Sequence, residues 1–286
     1  KAKNVLVFKD NGEFERQVGA RGQGPGEYIQ ANDFSIDSQG NVYVYDGPKK
    51  QLLLYNTENI CIKSLQLPFD IHNFTVLPNG KFLFWLAQYN KGKSKGYQVA
   101  LTDSLLNVEK EYIPYTQYFD ANMVMGSYFQ QTDNKFIYYH GISDSAYIFT
   151  QDGDLEGNIY IDFGDNKAPE KFRDNLMEII KNQEYQYLSY SPFIIKNYIM
   201  GCIIDKKDVI SFVYDTKNKT MYKNSEFKFG EINSPKSYVN DSTFISVFNE
   251  AYLPPDFMSD SILTDEQKKH IYEDGGTIIC KYTLLQ

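Results

Sequence analysis

Histidines and carboxylates are the residues here best suited to chemistry, and their number and spacing set limits on it. The chain has three histidines, His72, His140 and His270. A metal-assisted hydrolase or lyase would need imidazole nitrogens or hard carboxylate oxygens to converge from separate segments. His72 precedes an apolar run, His140 ends one, and His270 falls in a helix-like segment, so two could share a site but a three-histidine cage is not expected. The segment DGDLEG, Asp152 to Gly157, opens like a calcium loop, with acidic residues at its first, third and fifth positions and glycine at the sixth. Its twelfth position is Phe163, where a bidentate Glu is required, and DGD equally suits a hairpin turn. No metal or cofactor is therefore expected, a structural calcium lacking its full motif. No nucleophile elbow of the G-x-S-x-G type is read in the chain, and no catalytic set is assembled.

Cys61, Cys202 and Cys280 are far apart and lack metal spacing, and each sits in an apolar run. They read as small apolar side chains in strand interiors. The glycine-rich stretch GARGQGPGEY, Gly19 to Tyr28, would cradle a phosphate only between a strand and a helix.

The elements that must position these residues are mostly strands. Aromatic residues make up 16% of the 286 residues, with 24 Tyr and 20 Phe, types that favour strands. The net charge of -8 and pI near 5.0 argue against nucleic acid as a partner, because a phosphate backbone calls for basic patches. No run approaches the roughly 18 apolar residues of a membrane-spanning helix. The chain begins at Lys1, which leaves room for a signal segment upstream.

One unit recurs: an apolar run, a polar turn and a second apolar run. It is seen from Asn4, Gln51, Tyr97, Ala146 and Val209, and in truncated form from Thr277. With Phe8, Tyr55, Leu101, Phe149, Tyr214 and Tyr282 aligned, the period lies in the forties and then lengthens twice. Each longer interval holds a helical pattern. In APEKFRDNLMEIIKNQ, Phe172, Leu176, Ile179 and Ile180 form one stripe. In TDEQKKHIYEDGG, Thr264 to Gln267 is a capping box and Gly275-Gly276 a stop. A second hairpin alternates with the first, from Asp33, Asn73, Ser127, Ser191 and Lys236. Two hairpins in series make a four-stranded antiparallel sheet, and this period marks propeller blades. Six outer hairpins against five inner ones predict an all-β, six-bladed propeller over residues 1–286 as one domain. It would have two short helical insertions and a first blade incomplete at its N-terminus. Five blades is the alternative count.

The stretch VFKDNGEFERQVGARGQGPGEY, followed by NDFSIDSQGNVYVYDGPKKQLLLYN, resembles NHL-type repeats within the NHL- or TolB-like propellers. It is most similar to six-bladed propeller lipoproteins of Bacteroides-type bacteria, sharply so over Val5 to Leu67. The resemblance implies a cell-envelope location, with a lipid anchor outside this chain as the link to the membrane, and no settled activity.

Propeller ligands sit at the mouth built by loops between blades and between second and third strands. Those loops are GARGQGPGEYIQAN, DGPKKQ, LPFDIHN, AQYNKGKSKG, the PYTQYFDANMVMG connection, the first helical insertion and the segment from Asn249 to Gly276. Arg21, Glu27, Asp46, His72, Tyr89, Tyr115 and His140 are the side chains expected there. The expected function is non-catalytic binding of a peptide, protein or glycan, and the alternative is a lactonase-like, metal-assisted hydrolase or lyase.

Overall fold

A computed structural model describes residues 4–91, 94–116, 129–132, 134–141, 143–169, 176–206, 208–223, 235–249 and 263–284. The chain divides into two units, residues 1–121 with 150–155, and residues 122–149 with 156–286.

In the first unit, hairpins form where Asn, Asp and Gly interrupt the apolar runs. Strands β1 (Leu6–Phe8) and β2 (Phe14–Gln17) make a two-stranded antiparallel sheet. Two further sheets have four strands each, in sequence order. The first holds β5 (Ala31–Ile36), β6 (Val42–Asp46), β7 (Gln51–Tyr55) and β8 (Cys61–Gln66). The second holds β9 (Ile71–Val76), β10 (Phe82–Leu86), β11 (Tyr97–Thr102) and β12 (Val108–Pro114). Between β2 and β5 the short strands β3 (Ala20–Arg21) and β4 (Glu27–Tyr28) pair in parallel.

Consecutive bulky residues are explained by burial on both faces. All five residues of β10, FLFWL, are buried, and Phe82 and Phe84 join Tyr45, Leu52, Phe69 and Phe74 in one core between the two sheets. Truncating one such Phe to Ala costs about 3–5 kcal/mol in lost transfer energy and cavity. At the open edge of β9, Asp33 and Ser35 of β5 accept the Phe74 and Val76 amides, both at 3.0 Å. Polar side chains of one sheet thereby satisfy amides that the next would leave unpaired.

The turn at 150–155 belongs to this unit because Gly153 lies against its core. A Cβ there would stand 2.4 Å from Leu101 Cδ1 and 2.8 Å from Leu77 Cδ1, at φ +88, so a side chain is excluded on both counts. DGDLEG is thus a docked hairpin turn. Asp154 pairs with Lys110, and Asp152 accepts from Asn79.

The second unit opens with a four-stranded sheet of β13 (Phe129–Gln131), β14 (Lys135–Tyr138), β15 (Ser145–Thr150) and β16 (Leu155–Tyr160). A five-stranded sheet follows, of β17 (Gln186–Leu188), β18 (Phe193–Ile195), β19 (Tyr198–Asp205), β20 (Asp208–Asp215) and β21 (Thr220–Lys223). β17 and β18 share one edge of β19: Gln186 is opposite Asp205, and Phe193 is opposite Met200. The last sheet is three-stranded, β22 (Pro235–Asn240), β23 (Thr243–Asn249) and β24 (Thr277–Thr283).

Both helical insertions are present, as α1 (Leu176–Asn182) and α2 (Asp265–Tyr272). Of the α1 stripe, Ile179 is buried, while Phe172 lies outside the described residues. The α2 capping box is complete: Gln267 N donates to Thr264 Oγ1, and Thr264 N donates to Gln267 Oε1.

Candidate functional site

The glycine-rich loop folds around its own anion. Gly24 N donates to Glu27 Oε2 at 2.9 Å, and Gly22 N donates to the Tyr28 carbonyl at 3.0 Å, which closes the parallel β3–β4 pair. A Cβ on Gly22 would fall 2.0 Å from Glu27 Oε2, so the glycine is what lets the carboxylate in. A strand follows the loop instead of a helix, and the loop amide a phosphate would use already serves Glu27. The other candidates nearby also hold backbone. Arg21 Nε donates to the Ile29 carbonyl at 3.0 Å. Asp46 is fully buried and accepts the Ile29 and Gln30 amides at 3.0 and 3.3 Å, with Lys49 Nζ 4.0 Å away. Lys49 also donates to the Glu27 carbonyl at 2.8 Å. Arg21, Glu27 and Asp46 do come together, in a brace for the crossing between sheets.

Three of the loops expected at a mouth converge in a cleft. It has a volume of about 320 Å³ and is lined by Lys50 from DGPKKQ, by Pro68, Phe69 and Asp70 from LPFDIHN, and by Tyr89 and Lys91 from AQYNKGKSKG. That volume is at the lower end of ligand sites, roughly 300–1,000 Å³. Asn90 builds the wall: its amide accepts Asp70 N at 2.8 Å and donates to the Asp70 and Ala87 carbonyls at 2.7 and 3.0 Å. Turned outward by this clamp, Tyr89 is 65% exposed. Across the cleft, Lys50 Nζ meets Asp70 Oδ1 at 2.6 Å. The hydrogen bond to that carboxylate raises the lysine pKa, with its charge and the nearby Tyr89 hydroxyl adding to the effect.

The remaining candidates lie elsewhere. His72 packs its ring on Trp85 with centroids 4.3 Å apart. Its Nε2 is buried with no partner among the described residues, and burial lowers its pKa. Tyr115 donates its hydroxyl to the Leu86 carbonyl and its amide to the Gly96 carbonyl. Burial pushes that phenol far above its ordinary range, and it ties the end of β12 to the β10–β11 connection. His140, in the second unit, is buried with its ring 5.9 Å from that of Tyr138. The PYTQYFDANMVMG connection lies outside the described residues from residue 117 onward.

Two features escaped the sequence reading. Asp33 was not singled out, yet burial lifts its carboxyl from 3.8 to about 7 against the opposing Phe74 and Phe34 amides. The string Gly92-Lys93-Ser94-Lys95-Gly96 has G-x-S-x-G spacing and was passed over. Ser94 is 5% exposed in a connection between two strands, without the strand-to-helix turn that presents a nucleophile. Cys61 and Cys280 are half-buried, and only Cys202 is fully interior. Among the described residues, no three His, Cys, Asp or Glu side chains group to hold a metal.

Comparison with known proteins places this arrangement. A family model, DUF5128, described as a 6-bladed beta-propeller, matches residues 1–245. A solved structure from Bacteroides fragilis, an inferred exported protein, superposes with a TM-score of 0.72 at 19% identity, covering 99% of this chain and 85% of that one. A member of the DUF4221 family from Bacteroides vulgatus superposes at 0.56 and 11% identity, over 98% and 86% of the two chains. At these identities the likeness is one of fold. No curated protein matches the chain significantly.

Proposed function

Because the chain belongs to the six-bladed β-propeller family DUF5128, we propose that it is a non-catalytic binding propeller whose ligand enters the Lys50–Tyr89 cleft. The observation that carries this reading is Tyr89. It is a large amphipathic side chain left 65% exposed beside a clamp in which the Asn90 side-chain amide accepts one backbone hydrogen bond and donates two. Aromatic rings in that setting provide contact area at low entropic cost. The ligand is a peptide, protein or glycan presented at the cell envelope, a location supported by the fold shared with an exported Bacteroides protein.

The test is a glycan array and a peptide array probed with the wild-type chain and with Tyr89→Ala, alongside a hydrolase and lyase panel. The reading expects array signals that Tyr89→Ala removes and no turnover. Turnover on the panel, or signals indifferent to the substitution, would count against it.

A further inference from the structure

We infer that the cleft is selective for an acidic sugar, a uronate within a glycan, an inference that rests on the cleft being the ligand site. The groups still able to bond a ligand define the class. Asn90 is spent on the backbone. Lys50 gives one hydrogen to Asp70 Oδ1 and keeps two. Exposed Lys91 forms no ion pair among the described residues and keeps three. The Tyr89 hydroxyl makes one more donor. Against these, Asp70 offers one oxygen outside its pair with Lys50. An occupant must therefore be rich in acceptors and carry negative charge, while giving at least one hydrogen to Asp70.

A sugar carboxylate meets these demands together. Its ring face covers Tyr89, its carboxylate receives Lys91, and adjacent hydroxyls bridge Lys50 and Asp70, a cation and anion 2.6 Å apart that suit a vicinal diol as acceptor and donor. Charge favours the same ligand. The chain carries -8 overall, yet the cleft lining sets Lys50 and Lys91 against Asp70 alone. A peptide is the lesser fit, since extended peptides draw affinity from an unpaired strand edge and the cleft is walled by side chains and loop backbone.

The test is calorimetric titration of the full chain with digalacturonate, with a neutral disaccharide of the same linkage, and with an acidic peptide, for wild type, Lys91→Ala and Tyr89→Ala. Lys91 is exposed and forms no ion pair among the described residues, so its loss is expected to leave the melting temperature unchanged. Digalacturonate is expected to bind about tenfold more tightly than the neutral sugar, the worth of one charge-assisted hydrogen bond. Lys91→Ala should erase that difference and Tyr89→Ala should abolish both. Equal binding of the two sugars, each lost in Tyr89→Ala, overturns the acidic selectivity and leaves the cleft standing. Binding of the peptide alone, again lost in Tyr89→Ala, overturns the sugar class. Digalacturonate binding untouched by either substitution overturns the cleft itself, and no binding of any probe overturns the inference.

Discussion

The Gly19–Tyr28 loop and the Lys50–Tyr89 cleft draw on the same kinds of residue and set them differently against the backbone. In the loop these side chains bond the backbone: Glu27 Oε2 accepts from Gly24 N, Arg21 Nε donates to the Ile29 carbonyl, and Asp46 accepts from the Ile29 and Gln30 amides. In the cleft one amide side chain, Asn90, absorbs the backbone demand, and the lysines and tyrosine beside it stay available. The glycine signature that makes the loop conspicuous in sequence is what lets it close on itself. A ligand site is recognised by groups left over after the backbone has been satisfied, and a motif does not report that remainder.

The largest effect that would break this contrast is in the loop. Gly19 sits at φ +61, and a Cβ there would stand 2.5 Å from the Tyr55 ring. Gly19→Val is expected to cost about 3 kcal/mol through strain and overpacking, read as a lowered denaturation midpoint. Next comes Tyr89→Ala, expected to change stability by less than about 0.5 kcal/mol while removing ligand binding. The two substitutions should be mirror images, one structural and one functional.

A third prediction concerns pH. The Asp33 carboxyl titrates near 7 folded and at 3.8 ordinarily, so the folded state holds its proton more tightly. Stability from this group is fully present below pH 4, falls as pH rises toward 7, and is flat above. Asp33→Asn keeps an acceptor for Phe74 N without the buried charge, and should stabilise the protein at pH 8 by about 1–2 kcal/mol. Denaturant unfolding of both proteins at pH 5 and pH 8 checks this, and a variant less stable at pH 8 would refute it. The smallest expected effect on stability is that of Lys50→Ala, whose exposed pair with Asp70 should leave the denaturation midpoint nearly unchanged.

Much of the fold was legible because apolar runs ended at Asn, Asp and Gly turns. The hairpins read from Asn4, Gln51, Tyr97, Ala146 and Val209 are all present. β17 was not legible, since three residues, QYL, carry no period. At the candidate site three of the segments named from sequence meet, and one of the side chains named from sequence lies among them. DGPKKQ, LPFDIHN and AQYNKGKSKG do converge, and Tyr89 lines the cleft. Asp46 looked like a loop acid, but it ends β6 and turns inward to the Ile29 and Gln30 amides. Nothing local to DGP signals that partner about sixteen residues away. Lys50, Phe69 and Asp70 escaped notice for the converse reason, that ordinary residues become a site only through what they face.

The most direct measurement is calorimetry of the tightest glycan or peptide found on the arrays, titrated into wild type, Tyr89→Ala and Glu27→Ala under one condition. The account predicts binding lost in Tyr89→Ala and retained in a Glu27→Ala protein of somewhat lower melting temperature. Binding retained in Tyr89→Ala and lost in a folded Glu27→Ala would place the ligand at the glycine loop and contradict it.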